Sequence, residues 1–341
     1  MQDFDPSKIG ETLKSIEPFP SGITTISGSR FFDNSTLDVM RVCPRRFYYS
    51  KVRKWKPDKE SIALLFGSAW HASMDYLWQH PSADANEAFG PFQKLWDSSE
   101  FADSLDFDSF PRTPARAYDM LSKYIDRYRN WLQDIKLLEV EKSFIVPLSE
   151  ELQKLFYVGN WDKVFIDRGH IYIADHKTTG SFANSWLNSW SPNGQIDGYL
   201  YSGHLYYGDE FRGVLIDGAL VQKTSIDFRR IPVERQTGML EQWRWEVIDL
   251  IEQIIYYENL LNQIRSSGEA QDTLRTFPKC TTSCTSYYGQ CPYLDLCKYT
   301  NPEQYKGDEI PNGFIKDTWQ PFHIDESLTG EFIIKPHERG E

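Results

Sequence analysis

The 341-residue chain has no run of eighteen apolar residues and no charged-then-apolar N-terminus. We therefore expect no membrane-spanning helix, no signal peptide and no membrane partner, and a cytoplasmic location. No Gly-x-x-x-x-Gly-Lys-Ser/Thr loop occurs, so no helicase motor is expected within it. Internal repeats are also missing. Positive charge is in short supply, with 37 Lys and Arg against 49 Asp and Glu and a net charge of −12. That balance argues against indiscriminate electrostatic binding to nucleic acid. Cysteine is scarce as well, and no close Cys-x-x-Cys knuckle is present among the five. An odd number in a chain without a leader argues against a disulfide framework.

What remains is ample for one large domain or two small ones, and aromatic residues are plentiful at 15%. Residues 1–30 are rich in Pro, Gly, Ser and Thr and read as a lead-in, with a weak helix around 7–16. Asn34-Ser35-Thr36 opens a helical stretch over 37–49 that Pro44 kinks or restarts. Apolar positions recurring at three- and four-residue intervals predict a helix over 62–79. Residues 81–137 read as an aromatic-rich helical insertion, with a long helix over 114–138. Strands are expected over 143–147, 155–166 and 170–177. Ser191-Pro192 is the expected cap and first turn of a helix reaching 207, although Gly194, Gly198 and Gly203 weaken it. A strand pair over 212–222 and 224–231 leads to a long helix over 236–266. From Thr300 the chain turns polar and irregular.

Near the middle stands Gly159-Asn160-Trp161-Asp162, followed thirteen residues later by Asp175-His176-Lys177. Two runs of β-branched and aromatic residues flank Asp167-Arg168-Gly169, which signals a β-hairpin. Antiparallel pairing about Arg168 places Asp162 opposite Ala174 and Asp175. Alternation then puts Asp175 and Lys177 on one face, about 7 Å apart along the strand. Two carboxylates suit a hard divalent cation such as Mg²⁺ or Mn²⁺, and a lysine beside them suits a scissile phosphate. Such a cation would polarise the phosphoryl oxygen and acidify an attacking water. The plain alternative is a surface hairpin with solvated charges.

Between Arg41 and Lys56 lie seven basic residues and no acid, interleaved with Phe47, Tyr48, Tyr49 and Trp55. This composition suits a single nucleic-acid strand, with Arg45 and Arg46 on phosphates and the aromatics on bases. It equally suits an amphipathic helix with a core aromatic face. Four cysteines, Cys280, Cys284, Cys291 and Cys297, fall within eighteen residues, and the fifth is Cys43. Such a cluster points to metal, and four thiolates suit either zinc or an iron–sulfur cluster. The wide spacings favour the latter. Cys43, Cys284, Cys291 and Cys297 make one set of four, with Cys280 as a spare or an alternative.

Taken together these pieces resemble the RecB/AddB-type branch of the PD-(D/E)XK nuclease superfamily, in its iron–sulfur form. The matching motifs are Cys43-Pro-Arg-Arg-Phe-Tyr-Tyr, Gly67-Ser-Ala-Trp-His71, Gly159-Asn-Trp-Asp162, Asp175-His-Lys177, Gln195-Ile-Asp-Gly-Tyr199 and the C-terminal cysteines. Only Cys291 and Cys297 keep that branch's terminal spacing.

The resemblance implies an α/β fold. Its restriction-endonuclease-like core would be a central mixed sheet flanked by helices, spanning 31–300. To that core belong the helical insertion over 81–137 and a cluster-stapled segment over 280–297, with an extension over 301–341. The resemblance also implies roles. His71, Asp162 and Asp175 would be metal ligands, the His176 carbonyl a further one, and Lys177 the catalytic lysine. Gln195 and Tyr199 would position DNA or the lysine, and Glu141 would be an outer-shell acid. Cys43, Cys284, Cys291 and Cys297 would hold a structural 4Fe-4S cluster.

The implied activity is a metal-dependent deoxyribonuclease, an exonuclease on DNA ends in recombination, repair or phage DNA processing. Its substrate would be single-stranded DNA or duplex ends, and its partner a helicase or recombination protein. The alternative is a non-catalytic, cluster-stabilised DNA-binding subunit of a nuclease–helicase complex.

Overall fold

The computed structural model describes residues 23–24, 30–59, 61–102, 111–148, 155–267, 275–286, 289–299, 309–317 and 331–332. The expected helix over 7–16 and most of both terminal segments lie outside the described residues.

A six-stranded mixed sheet forms the centre. Its strands are β1 (Arg30–Phe32), β3 (Lys136–Pro147), β4 (Leu155–Asp167), β5 (His170–Thr179), β6 (Phe211–Val221) and β7 (Ile226–Val233), while β2 (Trp55–Pro57) pairs outside it with Phe314–Lys316. The order is β3-β4-β5-β6-β7, with β1 joining β4 on the same edge as β5. The β4–β5 hairpin turns through Arg168 and Gly169, at φ of 51° and 83°. A two-residue hairpin turn of type I′ needs positive φ at both central positions, and glycine adopts it at no steric cost. Asp167 and His170 close the turn, and the ladder runs back only as far as Lys163 opposite Ala174. At the other end of β4, β1 pairs in parallel with 155–157. Among the described residues, 158–162 therefore lack a ladder partner on that edge. β5 continues instead along β6, in parallel, to Thr179 opposite Leu220. β4 and β5 thus part at Asp162 and Asp175.

Helices cover both faces. One core layer joins Ile171, Ile173, Val214 and Ile216 to α1 (Asn34–Val42), α7 (Gly194–Tyr207) and α8 (Thr237–Ser266). The other joins Phe165, Ala174, Ala219 and Val221 to α3 (Ile62–Gln79), α4 (Ala85–Asp97) and α5 (Pro114–Asp134). Local chemistry explains several boundaries. Asp33 caps α1 through Thr36 N, and Asp84 and Glu87 form a reciprocal capping box on α4. Thr113 caps α5, with Pro114 in its first turn. Pro44 restarts the chain as the short α2 (Pro44–Phe47), and a π-helical turn over Tyr48–Val52 follows.

Three expectations need correction. The helix from Pro114 stops at Asp134 rather than 138, and the following strand begins at Lys136 rather than 143. Pairing with β4 along nearly its whole length draws these residues out of the helix. α7 is capped by Asn193, whose Oδ1 accepts from Gln195 N and Ile196 N; Ser191-Pro192 precede the cap.

The aromatics of the basic stretch are core. Phe47, Tyr48, Tyr49 and Trp55 are all buried, which removes them as stacking partners for bases. Tyr49 stacks between Trp55 and Tyr293, and Phe277 packs on Phe47 and Tyr48. Arg45 is only 3% exposed. Its Nε donates to Phe277 O at 2.8 Å and its Nη2 to Thr276 O at 3.3 Å. It therefore ties the N-terminal helices to the segment leading into the cysteines, and is withdrawn from any phosphate. Arg45→Ala should lower the unfolding free energy by about 2–3 kcal/mol, since it orphans buried carbonyls. Urea denaturation checks this, and an unchanged midpoint would remove Arg45 from that tie.

Candidate active site

The parting of β4 and β5 brings together residues from five elements. Asp162 sits on β4 where its ladder with β5 ends, and its Oδ2 accepts from His176 N at 2.7 Å. A side-chain carboxylate thus takes the place of a main-chain acceptor. His71 of α3 approaches it, with Nδ1 3.3 Å from Asp162 Oδ2. From the other side comes Glu141 on β3. Its neighbours pair as Val140 with Lys163 and Lys142 with Trp161, which sets Glu141 opposite Asp162. The Glu141 backbone is left-handed, at φ 49°, a costly conformation for a non-glycine residue within a strand. Ligand atoms of His71, Glu141 and Asp162 all lie within 4.8 Å of one another. Glu141, the acid that the sequence places on the outer side of the site, stands within this group.

Asp175 and Lys177 share a face of β5, as alternation predicts. Lys177 Nζ lies 2.9 Å from Asp175 Oδ1 and 2.7 Å from Oδ2, and hydrogen-bond geometry holds only for Oδ1. Asp175 is 1% exposed, and its Oδ2 is a buried oxygen without a hydrogen bond. Gln195 and Tyr199, one turn apart on α7, stand over it. Gln195 Nε2 reaches Asp175 Oδ1 at 3.5 Å and Tyr199 Oη at 3.0 Å. Tyr199 in turn donates to Asn160 O at 2.7 Å, and Asn160 Nδ2 donates to Glu141. The ring of His176 points to the opposite face, edge-on to Trp78 and 3.6 Å from Asp217.

Two residues of the site were not singled out in the sequence. Asn160 links Tyr199 to Glu141. Lys163 is completely buried, and its Nζ meets Asp75 Oδ1 and the carbonyl of Asp162. Asp75 lies one helical turn after His71, so this pair fastens α3 to β4 beside the His71–Asp162 contact. The four-residue spacing of His71 and Asp75 was the available signal.

The electrostatics separate the two aspartates. Burial would raise Asp162, but His71, Lys163, Lys177 and the His176 N–H together hold it below the usual carboxylate range. Burial pushes Asp175 up to about 6, with the Asp162 charge adding to the rise and Lys177 opposing it. For Lys177, burial is outweighed by Asp175 and Asp162, which keep the ammonium charged. Burial, then Lys163 and His71, drives His176 far down, so its ring is neutral. Tyr199 is raised by burial and by both aspartates, and stays a phenol.

A family model for the PD-(D/E)XK nuclease superfamily matches residues 34–298, a span that contains every one of these groups. The chain belongs to the PD-(D/E)XK nuclease superfamily. It is accordingly a metal-dependent nuclease, a phosphodiester hydrolase that binds DNA. No curated protein matches the chain. Among solved structures, the crystal structure of SSO0001 aligns over 72% of this chain and 84% of that one, at 12% identity and a TM-score of 0.30. No helix among the described residues is long and apolar enough to cross a membrane.

In this PD-(D/E)XK chain the donor set at the parted strands fits a hard cation: carboxylates, an imidazole, and one buried carboxylate oxygen without a hydrogen bond. The cysteines lie elsewhere, with Cys297 beside Tyr49 and Cys291 beside Tyr293. Cys43 is buried, and its Sγ accepts from Cys280 N at 3.3 Å. Burial raises Cys291, and the nearby sulfurs of Cys43 and Cys284 add to the rise. Burial raises Cys297, again with Cys43 contributing. Cys280 is half-buried, and a hydrogen bond with Thr282 lowers its thiol.

A cation ligated by Asp175 competes with the proton that this carboxyl holds below about pH 6. Mn²⁺ affinity should therefore be full above that pH and fall by about tenfold per unit below it. Calorimetric titrations near pH 5 and near pH 7.5 check this, and equal affinity at both would exclude Asp175 as a ligand.

Proposed function

We propose that the chain is an exonuclease acting on DNA ends, with its catalytic cation held between β4 and β5 and a structural 4Fe-4S cluster near its C-terminus. The observation that carries the reading is the pair Asp162 and Asp175 at the point where two strands part, with Lys177 on the same face as Asp175. His71, Glu141, Asp162 and Asp175 would hold Mg²⁺ or Mn²⁺, and the main-chain carbonyl of His176 is a further donor at that point. The chemistry supplied by a bound ion is polarisation of a phosphoryl oxygen and acidification of the attacking water.

The chain's own groups do the rest. Lys177 brings a charged ammonium to the phosphate and stabilises the negative charge that builds on it. Gln195 holds Asp175 in place and is itself fixed by the Tyr199 hydroxyl. Lys163 and Asp75 keep α3 and His71 against β4. The preference for DNA ends, and for a role in recombination, repair or phage DNA processing, comes from the sequence motifs shared with RecB/AddB-type nucleases.

For the cluster, support comes from the donor set. Cys43 and Cys284 both lie near enough to Cys291 to raise its thiol, and Cys43 does the same to Cys297, while the Cys280 sulfur is engaged by Thr282. The cluster would fasten α2 to the C-terminal segment, where Arg45 already makes one tie. Its role is structural.

With Mn²⁺, end-labelled linear DNA should be degraded from its termini while covalently closed circles survive. Rapid cutting of the circles would make the enzyme an endonuclease. Lys177→Ala should lower the rate at least about a hundredfold and leave Mn²⁺ affinity within about threefold; a wild-type rate would remove Lys177 from the mechanism. DNA binding without cleavage by the wild type would favour the non-catalytic subunit. Cys297→Ser should lose iron and folding stability together, because cluster binding is folding free energy. Unchanged iron content would reassign the ligands.

A further inference from the structure

The connection over 180–193, which contains the short α6 (Asn184–Leu187), joins the strand bearing Asp175 and Lys177 to the helix bearing Gln195 and Tyr199, so it must pass beside the site. It carries three aromatic residues in a row through space. The ring centroids of Phe182 and Trp186 are 4.8 Å apart, and those of Trp186 and Trp190 are 5.2 Å apart. Trp190 is buried, whereas Phe182 and Trp186 keep part of their surface in solvent.

The position of Trp186 is set by Gly218. A Cβ at 218 would run into Cη2 and Cζ2 of Trp186, so the indole edge rests on bare backbone. Gly218 is the ladder partner of Lys177 on the neighbouring parallel strand, about 4.8 Å away. Both point to the same face, since Val214 and Ile216 share a core layer with Ile171 and Ile173. Trp186 thus stands next to Lys177 on the site's own side of the sheet.

The loop is tied down at several points. Gln222 Nε2 donates to Gly180 O at 2.8 Å, Ser189 Oγ to Trp186 O at 2.8 Å, and Arg235 Nη2 to Trp190 O at 3.2 Å. The aromatic surface is therefore preorganised rather than formed on contact.

A net charge of −12 leaves bulk electrostatics a poor source of DNA affinity. Stacking on aromatic side chains supplies affinity without regard to sequence, because every base has a π-face. A base inside a duplex already uses both faces. We propose that Trp186, with Phe182 beside it, is the stacking platform for an unpaired base adjoining the scissile phosphate. The strand is then single-stranded where it is cut. This rests on the nuclease reading above and adds the form of the substrate to it.

The test is an abasic scan. Single strands each lacking one base near the cut are digested with Mn²⁺ by wild type, Trp186→Ala and Trp186→Phe. Wild type should lose roughly tenfold in kcat/KM when the stacked base is missing. Trp186→Ala should be slower by a similar factor on the intact strand and indifferent to the missing base. Trp186→Phe should keep the penalty. An equal penalty in wild type and Trp186→Ala would overturn the proposal, as would no penalty at any position in wild type. If Trp186→Ala does not fold, Phe182→Ala takes its place, with a reduced penalty expected and an unchanged one contrary.

Should wild type cut nothing, the nuclease reading fails. The proposal is then decided by fluorescence anisotropy of the same strands on Asp175→Ala with and without Trp186→Ala. An abasic penalty seen only with Trp186 supports it, and an equal penalty or none overturns it.

Discussion

The hydrogen bond from His176 N to the Asp162 carboxylate marks where two strands stop being a sheet. Up to Lys163 and Ala174, β4 and β5 form an ordinary antiparallel hairpin. One step further, a side chain replaces the main-chain acceptor and β5 runs on with β6 as its sole ladder partner among the described residues. The opening leaves room for groups that a continuous sheet would exclude: His71 from α3, Glu141 from an irregular stretch of β3, and the side chains of Asp175 and Lys177. Along β4 the alternation of side chains breaks at the same place, since Trp161 and Val164 belong to one core layer. Fold and site therefore share one cause.

Concentrating charge inside a core is expensive unless each charge has a partner. Here the partners are close. Lys163 meets Asp75, Lys177 meets Asp175, and His71 meets Asp162. The two aspartates end with very different proton affinities because these partners are unequally shared. Asp162 has His71, two lysines and an N–H to offset its burial, whereas for Asp175 burial and the neighbouring Asp162 charge outweigh Lys177 and Lys163. Separated acidities of this kind are what acid–base and metal chemistry near neutral pH use. Behind the strand, Tyr124, Arg230 and Asp217 form a second buried polar group next to the neutral His176 ring. β5 is thus braced by polar contacts on both faces.

Much of this was legible in the sequence where local rules govern. The hairpin followed from Asp167-Arg168-Gly169 between β-forming runs, and the helix over Ile62–Gln79 from its apolar spacing. The shared face of Asp175 and Lys177 followed from alternation alone. What escaped depends on contacts through space. Lys163 reads as a solvated charge until Asp75 is brought to it, and Glu141 as peripheral until the β3–β4 pairing sets it beside Asp162 and His71. Residues 135–138 leave the helix because β4 needs a neighbour. At Arg45 the sequence left two readings open: a basic, aromatic run suits either a DNA track or a core-facing helix, and this guanidinium serves buried carbonyls. Trp186 carries no motif at all. Its place follows only from the loop's path and from Gly218.

The central claim is that the parted strands form a cation site made of His71, Glu141, Asp162 and Asp175. Anomalous scattering from a crystal of the protein soaked in Mn²⁺ addresses it most directly. The account predicts a manganese peak among these four side chains, with the Asp162 and Asp175 carboxylates on either side of it. A peak elsewhere, or none at this position with the four side chains ordered, would contradict it.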